Sequence, residues 1–217
     1  MSTQTFILSG RSSDFTTSYQ NTINLDRNKK YQAALLSIDF YNSIPNITEE
    51  NNIFKYSIDN GLNWKIITIP KGCYELSAIN DEIQRQMIVN GDYNINNEFY
   101  ITISANTSKL SSIIEISNQA YKIDFTVANS IGPTLGFGKM ILNYGYNESQ
   151  NIVDIMKINS ILVNVDIITG SYVNGSQFPV IYSFFPNVSP GCKIVERPNP
   201  SLIFYPVNRS DITNIRL

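Results

Sequence analysis

Apolar and polar residues alternate along most of this chain, the pattern of strands with one buried face. It is clearest in residues 121–126, where Tyr121, Ile123 and Phe125 alternate with Lys122, Asp124 and Thr126. Residues 31–44, YQAALLSIDFYNSI, instead form an apolar run that ends at Pro45-Asn46. Such a run predicts a strand covered on both faces near its middle. Residues 54–58 and 64–69 flank Asp59-Asn60-Gly61. Asn-Gly accepts the positive φ angles of a tight turn, so a hairpin is expected there. Further strands are expected over 99–104, 113–117 and 121–127, followed by a plug-like turn and a polar loop, NYGYNESQN, at 143–151. The longest strand is expected over 155–169, where Ile158, Leu162 and Val165 alternate imperfectly with Asn159, Asn164 and Asp166. Gly170 and Asn174-Gly175 mark turns, and the aromatic-rich run 178–185 stops at Pro186. Short strands over 193–196 and 202–207 are broken by Pro198, Pro200 and Pro206, which suits edge positions. A last strand is expected over 212–217.

One segment breaks the period of two. Residues 77–89, SAINDEIQRQMIV, place Ile79, Ile83 and Met87 on one helical stripe. Ser77 is the expected N-cap, Arg85 comes late, and Gly91 stops the helix. Asp81 and Glu82 are adjacent, so they point to different sides and read as complements of the helix dipole, not as a catalytic pair. About eight to ten short strands at sandwich spacing, with one inserted helix, predict an all-β fold. The simplest architecture with that inventory is a single jelly-roll β-sandwich of about eight strands. Residues 1–20 are polar and short on pattern and read as a flexible N-terminal arm; residues 21–217 read as the jelly-roll domain. Trp64, the only tryptophan, is expected to pack in the core or at an interface.

The segment 121–138, YKIDFTVANSIGPTLGFG, is the most structured by sequence alone. A strand ends; Ser130 caps a short helical turn; Gly132-Pro133 bends the chain. Leu135 and Phe137 flank Gly136, and Gly138 follows; both glycines are free to take positive φ. The segment reads as an apolar plug for a sheet corner or for a neighbouring surface.

Composition narrows the function. The chain has 217 residues, 42% of them hydrophobic and 16% charged, and a net charge of −2. That supports a packed core and leaves no broad basic field for nucleic acid. The polar remainder is rich in Asn, Ser and Thr, which favours wet interfaces or reflects a biased genome. There is no histidine, which removes Ser-His-Asp and Cys-His nucleophiles, histidine zinc sites and histidine pH switches. Cys73 and Cys192 lack ligand spacing and read as two free, buried thiols of a reducing compartment rather than one disulfide. No apolar run approaches the roughly 20 residues of a membrane span, and the first ten residues do not read as a signal peptide. GPTLGFGK lacks the Lys-Ser/Thr pair of a phosphate loop. The Asn-x-Ser/Thr triplets at Asn46, Asn106, Asn147, Asn174, Asn187 and Asn208 are those expected of so Asn-rich a chain. No catalytic residue, cofactor or metal site is expected.

Several segments taken in order resemble a known family. They are NSIPNITEENNIFKYS from Asn42, IPKGCYELSAIN from Ile69, IDFTVANSIGPTLGFG from Ile123, INSILVNVDIITGSYVNG from Ile158 and FFPNVSPGCKIVERP from Phe184. This is the arrangement of the penton, or minor capsid, proteins of Polinton/Maverick elements, adintoviruses and mavirus-like virophages. The more specific pieces are NSIG-x-x-LGF, with Asn129, Ser130, Gly132, Leu135, Gly136 and Phe137, and GSY-x-NG, with Gly170, Tyr172 and Gly175. The resemblance implies a non-enzymatic virion protein, a single jelly roll forming homopentamers at capsid vertices beside a major capsid protein. Family members continue past the position of Leu217, so it also implies a C-terminal truncation or a sheet completed in another way. A jelly-roll attachment or carbohydrate-binding module, and one half of a double-jelly-roll major capsid protein, are the alternative readings.

Overall fold

The computed structural model describes residues 3–93, 96, 98–155, 158, 160–198 and 201–217. The chain divides into two compact units, one from Met1–Phe40, Ile158–Asn187 and Lys193–Leu217, the other from Tyr41–Lys157 and Val188–Cys192. In chain order the strands are β1 (Thr16–Asn24), β2 (Gln32–Ala33), β3 (Ile38–Tyr41), β4 (Ile53–Ser57) and β5 (Lys65–Thr68). The helix α1 (Leu76–Val89) follows, then β6 (Ile101–Asn106), β7 (Ser111–Ile116), β8 (Lys122–Asp124), β9 (Ile141–Leu142) and β10 (Gly145–Glu148). The rest are β11 (Ile161–Asn164), β12 (Tyr172–Val173), β13 (Ser176–Gln177), β14 (Val180–Phe184), β15 (Lys193–Glu196), β16 (Tyr205–Pro206) and β17 (Asp211–Arg216).

The second unit holds a four-stranded sheet in the order β5-β4-β8-β9 and a three-stranded sheet in the order β10-β7-β6. All the pairings are antiparallel. Strand alternation sends Phe54, Tyr56, Ile67 and Ile123 into a core shared with Ile101, Ile114 and Ile116 of the other sheet. Ile79, Ile83 and Met87 of α1 are fully buried in it, as their spacing requires. Asn60 and Gly61 turn the β4–β5 connection with φ of 63° and 88°, the expected hairpin geometry. Asp59 fixes that turn by accepting hydrogen bonds from the Ser57 hydroxyl (2.8 Å) and from the backbone and side chain of Asn63 (2.8 and 2.7 Å).

The first unit is a set of two-stranded ribbons: β1 with β17, β2 with β16, β11 with β14 and the β12–β13 hairpin, all antiparallel, and β3 with β15. Its buried apolar residues include Val163, Ile167, Ile181, Phe184, Ile212 and Ile215.

Several expectations change. The apolar run 31–44 is not one doubly covered strand. It exchanges partners between Ala33, paired with β16, and Ile38, at the start of β3, so the ladder breaks and Leu36 and Tyr41 are left exposed. Within 155–169 only β11 is a strand, and Met156, Lys157 and Asn159 lie outside the described residues, as does Pro200 further on. Among the described residues the longest strand is β1, which begins inside the stretch read as an arm because β17 supplies it with a partner. The polar stretch 143–151 contains β10, a strand because β7 offers a free edge opposite it. The helix starts one residue before Ser77; Glu75 is the N-cap and makes no side-chain cap bond. The cysteines are free, but Cys192 is exposed and Cys73 only partly covered, not buried.

Candidate functional site

The segment 129–137 forms a single closed turn seated in the core of the second unit. Asn129 takes φ of 56°, and its carbonyl accepts the Ile53 N–H (2.9 Å). The Ile131 N–H returns a bond to the Ile53 carbonyl (2.9 Å), tying the turn to β4. The Ser130 hydroxyl accepts the Gly132 N–H at 3.1 Å, the local capping expected of it. The turn then ends as a Schellman motif. The Phe137 N–H bonds the Gly132 carbonyl (2.9 Å) and the Gly136 N–H bonds the Pro133 carbonyl (3.1 Å). Gly136, at φ of 81°, occupies the left-handed position the motif requires. Gly138 does not take positive φ.

The geometry makes a plug. Ile131, Leu135 and Phe137 are buried, and Phe137 packs on Phe125 with ring centroids 5.5 Å apart. Gly132 lies against the same Phe125 ring, where a Cβ would come within 2.7 Å of ring carbon. Each burial of this kind is worth roughly 1.5–3 kcal/mol. Backbone polar groups of the plug are met from outside it. The Leu135 carbonyl accepts the buried Ser112 hydroxyl, the Thr134 carbonyl accepts the Asp154 N–H, and the Gly136 carbonyl accepts the Asn151 N–H (3.0 Å).

Buried amides brace it. Asn51 donates to the Thr134 hydroxyl (2.8 Å) and the Asn46 carbonyl (2.9 Å), and its Oδ1 accepts the Thr48 N–H (2.8 Å). Asn46 in turn accepts the Tyr74 N–H and donates to the Tyr74 and Ile155 carbonyls. Sequence reasoning placed Asn46 only at the end of the first apolar run and among the Asn-x-Ser/Thr triplets, and passed over Asn51 and Asn52. A cluster of amides directly before an apolar strand was the available signal, since buried backbone must find partners.

A second polar group lies beside α1. The Tyr56 hydroxyl, fully buried, donates to Asp92 (2.5 Å) and accepts from the Asn90 amide (2.9 Å), while Lys65 reaches Asp92 at 2.6 and 2.7 Å. Burial first, and then the hydrogen bond to Asp92, push the Tyr56 hydroxyl well above the ordinary tyrosine range. Tyr56 lies two residues after Phe54 on β4, on the same face, so its inward direction was legible from the period of two; its partner was not. On the opposite face of the sheet Lys55 bridges Asp124 at 2.7 Å and lies 4.8 Å from the Trp64 ring centre. Burial raises the Asp124 carboxyl, but hydrogen bonds from Lys55 and Thr126 together outweigh it and hold the group below its usual range. Trp64 is half-buried.

The remaining signature residues belong to the first unit. Asn174 (φ 49°) and Gly175 (φ 82°) turn the β12–β13 hairpin, with Gly170 (φ 100°) before it. Tyr172 stands out from this hairpin, 70% exposed. The two signature groups therefore lie in different units, each locally well ordered by hydrogen bonds. Among the described residues no group of three or more His, Cys, Asp or Glu could hold a metal ion, and no helix is long and apolar enough to cross a membrane.

Compared with known proteins, the chain matches no family model and no curated protein. Among solved structures it is similar to the mavirus penton protein, known from a crystal structure of its selenomethionine-labelled form. The similarity covers 94% of this chain and 80% of that one, with a TM-score of 0.51 and 12% identity. At that identity the likeness is one of fold. The fold is an all-β jelly roll with a single helix among the described residues, like that of the mavirus penton protein.

Proposed function

We propose that this chain is a structural virion protein, the pentameric vertex capsomer of an icosahedral capsid. The observation that carries this reading is the fold likeness to the mavirus penton protein over nearly the whole chain. A fold alone does not fix a function, but three features agree with this one. The segment 129–137 spends most of its backbone hydrogen bonds on fixing the turn to itself and to the core around it. The surface carries few charges for its size. Short strands, several stopped by proline, leave little open edge for uncontrolled strand pairing. A closed ring needs each copy to present two different surfaces to its neighbours.

In this reading the partners are further copies of the chain and a major capsid protein, and the protein resides in the virion after assembly inside the host cell. Asn129, Ser130, Gly132, Leu135, Gly136 and Phe137 shape the tile from within, and Gly170, Tyr172 and Gly175 present a hairpin to a neighbour. Native mass spectrometry under assembly conditions tests it. Particles of five copies of the 24.5 kDa chain are the expected species. A uniform trimer, or a chain that stays monomeric when mixed with its capsid partner, would overturn the reading.

A further inference from the structure

The first unit contains a cleft of about 560 Å³ between two chain segments that run antiparallel. Its origin lies in the strand register. The β1–β17 ribbon ends at Asn24↔Asp211, with one more bond from the Leu25 N–H to the Ser210 carbonyl (2.7 Å). Pairing resumes at the bond from the Val207 N–H to the Tyr31 carbonyl (3.0 Å) and at Gln32↔Pro206. Between those ties residues 26–30 face only Asn208 and Arg209. The longer segment must bow away from the shorter, and the opening is the cleft.

Its lining is uneven in character. Leu25, Tyr31 and Val207 are half-buried and supply apolar surface, whereas Arg27, Lys29 and Lys30 are exposed. With Arg209 these make four cations against one lining carboxylate, Asp26, in a chain whose acidic residues outnumber its basic ones by 18 to 16. The cations are also available. Arg27 meets Asp211 only at 3.5 Å and Lys29 meets Asp26 only at 3.4 Å, both among exposed groups, and such pairs are worth about 0–1 kcal/mol. Arg209 is held more firmly, by Asp166 at 2.8 Å. An entering carboxylate therefore displaces weak contacts and gains a field that is locally positive.

We infer that this cleft binds an extended, acidic segment of a protein partner, with an apolar side chain laid against Leu25 and Val207 and carboxylates paired to Arg27, Lys29 and Lys30. Nucleic acid fits less well. A single-stranded chain needs aromatic platforms for its bases; Tyr31 is the one aromatic residue of the lining, and its hydroxyl is engaged by the Asp26 N–H at 3.2 Å. The inference does not depend on the number of copies in a ring: a monomer that binds and a pentamer that does not are separate outcomes.

The test is fluorescence anisotropy with a labelled peptide of Asp and Glu around one leucine, the same peptide with Asn and Gln instead, and an oligo-dT strand. The acidic peptide is expected to bind, and to lose several-fold in affinity between about 50 and about 200 mM salt as the charges are screened. The Arg27→Glu/Lys30→Glu variant is expected to weaken it by about tenfold or more, while Arg27→Lys keeps most of the affinity. Both positions are solvent-exposed, and an unchanged far-UV circular dichroism melt establishes that the charge-reversed protein is folded. If it is not, the salt dependence of the unaltered protein and the amide-peptide control decide alone. Equal binding of the amide peptide, tighter binding of oligo-dT, no binding of the acidic peptide, or indifference to charge reversal in a folded variant overturns the inference.

Discussion

Gly136 and Gly91 form a matched pair on which the plug can be tested. Both are the left-handed residue of a Schellman motif, with φ of 81° and 73°. At Gly91 the motif is closed by bonds from the Gly91 N–H to the Ile88 carbonyl and from the Asp92 N–H to the Met87 carbonyl, as at Gly136. Both belong to the second unit, which also contains Trp64, the only tryptophan and hence a convenient reporter. They differ in surroundings. A Cβ at Gly91 meets nothing within 4 Å; at Gly136 it falls 2.3 Å from the Asn151 carbonyl oxygen and 2.8 Å from the Ser149 hydroxyl. Alanine at Gly91 therefore incurs only the left-handed backbone strain, about 1–2 kcal/mol. Alanine at Gly136 incurs the same strain plus overpacking of about 1–3 kcal/mol, because backbone cannot swing aside as a side-chain tip can. It also pushes away the Asn151 N–H that the Gly136 carbonyl accepts. Urea denaturation followed by Trp64 fluorescence is the assay. The expected loss is about 1–2 kcal/mol for Gly91→Ala and roughly 2–5 kcal/mol for Gly136→Ala, by the sum of those two terms. Equal losses would refute the reasoning, since they would mean that residues 149–151 do not close on the plug.

Three further outcomes are expected in the same assay. Asn51→Ala removes the amide that bonds Thr134, Asn46 and Thr48 at 7% exposure, and should cost roughly 2–3 kcal/mol through the buried groups left unpaired; Asn51→Asp should cost more, because it turns a carboxylate oxygen toward the Asn46 carbonyl, and a neutral Asn51→Asp would refute the bracing role. Tyr56→Phe leaves the Asp92–Lys65 pair in place but strips one donor from Asp92, and should cost about 1–3 kcal/mol; no loss would mean the hydroxyl is not satisfied by Asp92. Hydrogen bonds from the Asn63 backbone, the Asn63 side chain and Ser57 hold Asp59 at about 2, below its ordinary value of 3.8. A carboxyl depressed in the folded state stabilises above its unfolded value and stops doing so as the pH falls through the folded one. The urea midpoint should therefore drop between pH 4 and pH 2, and Asp59→Asn should flatten that drop; parallel curves for the two proteins would contradict it.

Local pattern disclosed most of the second unit. The β4–β5 hairpin was legible because Asn-Gly is among the few pairs that relieve the strain of its turn. The buried stripe Ile79, Ile83, Met87 followed from helical spacing alone. The plug was legible as an apolar turn, and Ser130 and Gly136 do what their chemistry suggested. What the pattern hid was long-range pairing. Residues 31–44 look like one strand because a run of apolar residues carries no mark of where its partner changes. β10 looks like a loop because its side chains are polar, yet an antiparallel ladder depends on backbone, and β7 supplied the free edge. The cysteines were expected inside because thiols pack as small apolar groups, whereas Cys192 sits in an exposed turn.

The amide-rich composition gains a meaning from the plug that composition could not give it. An abundance of Asn, Ser and Thr is compatible with wet interfaces and equally with codon bias. Asn46, Asn51 and Asn52 are buried, and Ser112 and Thr134 are almost fully covered, with their side chains spent on backbone groups or on one another. The turn of 129–137 meets its Ile131, Gly132 and Pro133 carbonyls from within, but the Ser112 hydroxyl meets the Leu135 carbonyl, Asn151 meets the Gly136 carbonyl, and Asn51 reaches the Thr134 hydroxyl. Amides suit that work because each offers a donor and an acceptor without the desolvation cost of a charge. Such fixation makes a rigid turn without a charged network, a property suited to a protein whose proposed task is to hold its shape against its neighbours. On this argument the interior amides are the ones whose loss is felt as instability, and the exposed Asn-Gly hairpin carrying Tyr172 is the place where substitution should change assembly and leave the urea midpoint nearly unmoved.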